Sequence, residues 1–217
     1  MVVPIAAAAV AAVMAGSARV SPPLTLSIQL IQRCPPAAAC VAPRVVGRMR
    51  NETEHIWSSL DARIEWADSH ADADASRRRL TVFLEGEGAP AAQAGAAALA
   101  SLHLPADPCE GGVARLWIRN VRQQLASVHV GGALFVSLPQ SLGDLILARA
   151  LGRALAHEIG HFLLGTSAHA ERGLMRARFA PLEFVDDLSS RYGLDARERE
   201  SFASCRADRA QSVAGVH

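Results

Sequence analysis

The sequence predicts an α+β fold, in which a twisted mixed β-sheet packs on a backing helix and on a second, longer helix, with a small helical C-terminal part. The chain has 217 residues, half of them hydrophobic, which suffices for one substantial core but not for two. Short runs rich in strand-forming residues recur between residues 24 and 138. An apolar segment near residues 141–164 has the length and uninterrupted character of a helix.

The first half of the chain is predicted to contain three strands and the backing helix. Residues 24–31 alternate in polarity and are rich in strand formers. Apolar side chains between residues 45 and 60 recur partly at helical spacing, and residues 62–67 and 80–84 have the pattern of a second and a third strand. Residues 86–100 are rich in Gly and Ala, and their composition fits either a loop or a poor helix.

Two further strands and a last helix are predicted in the second half. Residues 113–118 and 133–138 have strand-like composition. Near the C-terminus, Asp195 with Glu198 has the spacing of a capping box and would start a helix that runs through Ala203.

The long apolar helix between these parts has recognisable ends. Ser141 stands three residues before Asp144, which resembles a capping box at the start of the helix. The apolar run then continues to Leu164, and Gly165 is expected to end it.

The N-terminus predicts export. A run of small apolar residues from Ile5 to Ala15 precedes Gly16-Ser17-Ala18, a pattern suited to signal-peptidase cleavage, although no Lys or Arg comes before the run. The run is shorter than the roughly 20 residues of a membrane-spanning helix. We therefore expect a signal peptide over residues 1–18, a single domain over residues 24–205 and a flexible tail over residues 206–217. The mature protein would be secreted or periplasmic, without stable membrane insertion.

The charge of the chain argues against a polyanionic partner. The formal net charge is +1 at neutral pH, so there is no broad electrostatic attraction to nucleic acid or to an anionic membrane surface. We expect a monomer without a nucleic-acid partner.

The four cysteines are compatible with two disulfides in an oxidising compartment. Cys34 with Cys40 and Cys109 with Cys205 is one possible pairing. The spacing does not select among the possible pairings, and it leaves buried free thiols open as well.

The long helix contains the sequence His-Glu-Ile-Gly-His at residues 157–161. Two histidines four residues apart, His157 and His161, project from one face of a helix and can bind the same tetrahedral Zn²⁺ ion. Glu158 is placed to act as the general base toward a water at the remaining open position. Because a carboxylate between two histidines on so apolar a helix is costly to bury without a partner, we predict one catalytic zinc ion here.

A catalytic zinc site needs a third protein ligand. His169 follows the second motif histidine by eight residues, just past Gly165, where a chain that reverses out of the helix can bring an imidazole back to the metal. His169 is therefore the preferred candidate. Acidic residues farther along remain alternatives: Glu171, Glu183, Asp186 and Asp187.

The segment from His157 to Met175 resembles the metzincin clan of zinc metallopeptidases, especially its compact matrixin-like members, whose pattern is HExxHxxGxxH followed by a methionine turn. In this chain Gly165 comes one residue later and His169 two residues later than in that pattern, while Gly173-Leu174-Met175 stands at the usual distance. The resemblance implies a zincin-like fold, hydrolysis of peptide bonds by a zinc-activated water, and a packing role for Met175 below the site.

By the same analogy, an extended substrate would lie beside an exposed strand edge, with residues 113–118 or 133–137 as the candidates. Tyr192, the single tyrosine, is a conceivable oxyanion stabiliser, although an aromatic residue before a glycine is more often a packing residue.

The other polar groups are expected to have no part in the metal site. The remaining histidines lack ligand spacing and are assigned to the surface or to packing: His55, His70, His103, His129 and His217. The polar loop with Asp68, Asp72 and Asp74 is interpreted as solvated, because no EF-hand pattern supports a calcium site.

The leading hypothesis from the sequence is an exported zinc metallopeptidase that acts on protein or peptide substrates. The alternatives are a zinc-dependent amide hydrolase with a non-protein substrate and a secreted protein that binds zinc without turnover. The presence of Glu158 disfavours the last of these, because a structural zinc site has a fourth protein ligand and no base.

Overall fold

The structure is a computed structural model that describes residues 24–34, 41–68, 78–89, 98–104, 111–187 and 189–204. Within these ranges the chain is α+β, with a mixed sheet and several helices. The predicted signal peptide and tail lie outside them, as do His70, His217 and the Asp72 and Asp74 loop. A helix with the length and apolar character to cross a membrane is absent from the described residues.

Five strands form the main sheet, in the spatial order β2-β1-β3-β5-β4. Their bounds are Leu24–Arg33 for β1, Ala62–Ala67 for β2, Arg78–Glu85 for β3, Ala100–His103 for β4 and Gly112–Trp117 for β5. The first four strands in that order run parallel, and β4 alone runs antiparallel, against β5. Because alternate side chains point to one face, Leu80, Val82 and Leu84 of β3 all lie fully buried in the core.

The helices are α1 (Pro43–Ser58), α2 (Ile118–Leu125), α3 (Gln140–Leu164) and α4 (residues 196–204). Helix α1 is the backing helix, and it packs closely on α3 at Gly152, where an added Cβ would lie 2.8 Å from the side chain of Glu52. Thr53 donates its hydroxyl to the Gly152 carbonyl at 3.1 Å, and Trp57 donates its indole N–H to the Ala156 carbonyl at 3.2 Å. These contacts fix α3 against the core.

The predicted strand over residues 133–138 is wrong. Only Ala133–Leu134 is extended, as β7, and it pairs with β6 (His129–Val130) in a separate hairpin. Gly131 and Gly132 adopt φ values of +58° and +87°, which glycine reaches without strain, and they make the tight turn between the two strands. A 3₁₀ turn, Phe135–Ser137, follows and ends the extended backbone.

The start of α3 also differs from the prediction. Pro139 precedes the helix, and no side chain caps it. Asp144 instead accepts a hydrogen bond at 2.5 Å from Arg44 of α1. The end of the helix is as predicted, because Gly165 has left-handed φ and ψ of 62° and 31°.

The last helix is confirmed together with its cap. The amide of Glu198 donates to Asp195 Oδ1 at 2.8 Å, and the amide of Asp195 donates to Glu198 Oε2 at 2.7 Å. Two 3₁₀ turns, Pro181–Phe184 and Ser189–Tyr192, lie between α3 and this helix.

Cys34, at the end of β1, is disulfide-bonded. That excludes the hypothesis that all four cysteines are free thiols. The other three cysteines lie outside the described residues.

Candidate metal centre

Three imidazoles meet in one place at the C-terminal end of α3. His157, His161 and His169 each offer a ring nitrogen, and these nitrogens all lie within 4.8 Å of one another. The Nε2 atoms of His157 and His161 are 3.0 Å apart. The ring of His169 stacks on that of His157 at 5.3 Å and stands edge-on to that of His161 at 4.9 Å. This cluster could hold a metal ion.

Backbone carbonyls orient the two helical histidines. His157 Nδ1 lies 2.8 Å from the Leu174 carbonyl oxygen, and His161 Nδ1 lies 2.7 Å from the Thr166 carbonyl oxygen. A carbonyl oxygen only accepts, so each Nδ1 carries the proton and donates it. In the neutral rings the Nε2 lone pairs are therefore left bare and face each other, an arrangement that a bound cation stabilises.

Burial keeps these two rings neutral. It lowers the pKa of His157 to about 4, against the opposing effect of the hydrogen bond to the Leu174 carbonyl. It also lowers the pKa of His161. Because both pKa values lie below neutral pH, the rings keep the lone pairs that a metal requires.

The segment after α3 folds back to bring His169 to the other two rings. Gly165 turns the chain in a left-handed conformation, which places the Thr166 carbonyl against His161. The amide of Ala170 then donates to the Met175 carbonyl at 2.8 Å, which closes the loop next to His169. Of the two additional residues relative to the HExxHxxGxxH spacing, one therefore lies before Gly165, at the end of α3, and the other lies in this loop.

Met175 packs directly beneath the motif. Its side chain is 1 % exposed, and its sulfur occupies the space that a Cβ on Gly160 would require. Gly173, with φ of +75°, lies so close to the Gly193 carbonyl that a side chain would overlap it. This tight turn holds Leu174 where its carbonyl meets His157. The predicted packing role of Met175 agrees with this placement.

Glu158 is a buried carboxyl without a partner in the described part of the chain. It is 6 % exposed, lines the same cleft as the three histidines, and makes no hydrogen bond or ion pair there. Burial raises its pKa to about 8. A carboxyl in this position favours its protonated form unless a cation is close, and it is suited to accept and release a proton near neutral pH.

The acidic alternatives for the third ligand lie outside the cluster. The described group of candidate ligands contains only the three histidines. Glu183 instead binds Arg176 at 2.9 Å and accepts from the amide of Ala180 at 2.7 Å, and Asp186 lies 3.5 Å from Arg191. His103 and His129 are exposed and outside the group as well.

A cleft of about 1000 Å³ opens in front of the cluster. The three histidines and Glu158 line it, together with residues 98–102 of the β4 region and residues 176–179. Asn120 and Gln124 of α2 also line it. Asn120 donates to the Ala98 carbonyl at 2.7 Å and Gln124 to the Phe179 carbonyl at 3.2 Å, so α2 connects the segment before β4 with residues 176–179.

The structure corrects both predicted substrate edges. Residues 113–118 correspond to β5, which pairs with β3 on one side and β4 on the other and so has no free edge. Residues 133–137 form the short hairpin strand and a 3₁₀ turn, and they do not line the cleft. The edge strand beside the cleft is β4, which the Gly- and Ala-rich composition before it concealed.

Tyr192 has a structural place. It is 2 % exposed, its hydroxyl donates to the Glu183 carbonyl at 2.9 Å, and it does not line the cleft. Arg153, which contacts Tyr192 and is fully buried on α3, was not predicted from the sequence. The guanidinium of Arg153 lies 4.5 Å over the Tyr192 ring and pairs with Glu52 at 2.6 Å. An arginine in the most apolar part of α3, one turn before His157, is a sequence signal from which such a network could have been predicted.

Comparison with protein-family models, with curated proteins and with solved structures gives no match to this chain, so the assignment of this centre depends on its own geometry.

Proposed function

We propose that this protein is a zinc-dependent metallopeptidase with a zincin-like fold. The observation that carries the proposal is that three imidazoles converge beside the buried carboxyl of Glu158 and that all four side chains line one cleft. A structural zinc site would enclose the ion with four protein ligands, whereas three ligands and an acid leave one position for water.

The donor set fits zinc. Three imidazoles suit Zn²⁺ better than Mg²⁺ or Ca²⁺, which prefer oxygen ligands. Two of the rings have their Nδ1 protons bound to the carbonyls of Leu174 and Thr166, the arrangement that fixes the tautomer and ring orientation of metal-binding histidines.

A zinc ion held by His157, His161 and His169 would act as a Lewis acid and lower the pKa of a bound water to about 7. Glu158 would accept the proton of the attacking water and then donate it to the leaving amine. The low polarity around Glu158, which raises its pKa, makes the first of these transfers more favourable.

The cleft is suited to an extended peptide. Strand β4 lies along one side of it and has no strand partner on its outer edge among the described residues. A peptide that pairs with β4 through main-chain hydrogen bonds would cross the metal centre. Pockets for drug-sized ligands have volumes of roughly 300–1000 Å³. A cleft of about 1000 Å³ lies at the upper end of this range and is larger than a small amide needs.

Export is part of the proposal. The disulfide of Cys34 supports an oxidising compartment, where such bonds persist. Together with the signal-like first eighteen residues, it supports a secreted or periplasmic enzyme.

The test compares the zinc-loaded wild type with Glu158→Gln on an unfolded protein substrate. Both proteins should bind one zinc ion, and only the wild type should cleave. Glu171→Gln is the matched control, because Glu171 is an exposed glutamate outside the cluster; it should keep both zinc and activity. Cleavage of small amides alone would favour the non-protein hydrolase, and zinc binding without any turnover would favour the silent binding protein.

A further inference from the structure

A continuous segment of the cleft lining consists of Arg176, Ala177, Arg178 and Phe179, and we call it the basic wall. It begins directly after the turn that holds Met175. Apart from the histidines, the charged residues that line the cleft are the two arginines of this wall and Glu158. Because Glu158 is assigned to proton transfer, no lining acid in the described part of the chain is left to balance the wall.

The basic wall is held rigidly relative to the metal centre. Arg176 donates from Nε to the Gly173 carbonyl at 3.1 Å, and its guanidinium lies 4.7 Å over the ring of Phe179. The Phe179 carbonyl in turn accepts from Gln124 at 3.2 Å. The Phe179 ring stands edge-on to His157 at a centroid distance of 5.8 Å. These contacts connect Arg176 and Phe179 to the turn after His169, to α2 and to His157.

The two arginines of the wall differ in what their charges meet. Arg176 is paired with Glu183 at 2.9 Å, and its side chain is only 22 % exposed. Arg178 is exposed and makes no ion pair or hydrogen bond within the described ranges. Arg178 is thus the cation of the cleft whose charge remains available to a ligand.

The position of Arg178 relative to the metal centre limits which residue of a bound substrate can contact it. Arg178 is the chain neighbour of Phe179, so their Cα atoms are about 3.8 Å apart. Phe179 contacts His157, and an extended peptide advances roughly 3.3 Å per residue. A side chain that meets Arg178 therefore belongs to a residue close to the bond that is cleaved.

We propose that the cleft selects peptides with a carboxylate side chain within about two residues of the scissile bond, on the side of the basic wall, and that Arg178 binds this carboxylate. The selection rests on the proposed peptidase function and specifies its substrate class. Arg176 has a different part, since its pairing with Glu183 positions Phe179.

The experiment measures kcat/KM of the zinc-loaded protein on matched fluorogenic peptides that carry Glu, Gln or Lys at each of the three positions on either side of one cleavable bond. The wild type should favour Glu over Gln by about fivefold at one position, the size of a solvent-exposed ion pair. The preference should weaken as salt is raised, because the charges are exposed.

Arg178→Glu should reverse this preference toward Lys at the same position, and Arg178→Gln should abolish it. Arg197→Glu is the matched control, because it makes the same charge change on an exposed residue of α4 outside the cleft; it should keep the preference for Glu. Thermal unfolding of each variant shows whether it is folded, and Arg178→Gln provides the comparison if Arg178→Glu is not.

Equal cleavage of all peptides, or a Glu preference that survives both Arg178 variants, would overturn the assignment of Arg178 and leave the peptidase function standing. Failure of the zinc-loaded wild type to cleave any peptide or unfolded protein would overturn both.

Discussion

The side chain of Met175 packs against Gly160, and its sulfur occupies the position that the Cβ of any larger residue at position 160 would need. Gly160 lies between His157 and His161 in the sequence. Met175 follows Leu174, whose carbonyl orients His157. The contact between Gly160 and Met175 therefore sets the distance between α3 and the turn that contains Met175.

Gly160→Ala should destabilise the protein. The added methyl group forces Met175 and the turn away from α3, and overpacking of this kind costs about 1–3 kcal/mol. Gly143→Ala is the control in the same helix, because a Cβ there meets nothing within 4 Å; it should be neutral or stabilise by up to about 1 kcal/mol. Urea unfolding of both variants measures the difference. Equal stability of the two variants would argue against the tight contact.

Removing Glu52, the partner of a buried arginine, should cost more stability than removing the acidic partner of an exposed arginine. Glu52→Ala leaves Arg153, which is 0 % exposed, as an unpaired buried charge, and this costs about 3–5 kcal/mol. The double variant Glu52→Ala with Arg153→Met should recover part of that loss. Asp144→Ala removes the partner of Arg44, which is 51 % exposed, and should cost at most about 1 kcal/mol. Urea unfolding at constant pH distinguishes these cases.

The metal-free protein should lose stability as the pH rises from 6.5 to 8. The folded pKa of Glu158 is raised to about 8, so the unfolded chain releases this proton before the folded chain does, and the free energy of unfolding falls with pH through that window. His157 and His161 have lowered folded pKa values, so they oppose this slope near pH 6.5, where the unfolded imidazoles are still partly protonated, and add little above about pH 7.5. The expected net loss is about 1 kcal/mol. Glu158→Gln should flatten the profile, and an unchanged slope in that variant would contradict the assignment.

Zinc should stabilise the wild type, and a chelator should reverse the effect. A ligand that binds only the folded state adds about 2.7 kcal/mol at one hundred times its dissociation constant. His169→Ala should weaken zinc affinity by at least about tenfold, the lower limit for disturbing even a group that only orients a ligand. His129→Ala, an exposed histidine on β6 outside the cluster, is the control. Thermal unfolding with and without zinc measures both, and equal zinc shifts in the two variants would remove His169 from the ligand set.

The periodic segments were predictable from sequence because their side-chain patterns are local. Strand β2 matches its predicted residues 62–67, and the end of α3 follows from Gly165, because its left-handed conformation favours glycine. Helix α2 was missed because it starts directly after β5 without a turn residue. Its buried Ile118, Val121 and Leu125 have the spacing of a helix face and were a usable signal.

The candidate metal site was predictable where two of its histidines share one helix. The spacing of His157 and His161 is fixed by helical geometry, so their proximity follows from sequence. The position of His169 depends on a loop, whose closure involves the Ala170 amide and the Met175 carbonyl, and backbone hydrogen bonds leave no mark in the side-chain pattern. Strand β4 was concealed for a similar reason, because only four residues form it and its neighbour β5 determines its place.

The carbonyls that orient the helical imidazoles come from Thr166 and Leu174, which lie beyond the C-terminal end of α3. Formation of the helix alone consequently leaves both rings free to rotate, and a competent ligand set arises only after residues 166–175 have docked. Metal affinity and loop docking are then two measures of one equilibrium. An ion in this position would link α3 to residues 166–175. Loss of the ion is therefore expected to loosen the wall of the cleft as well as to remove the chemistry.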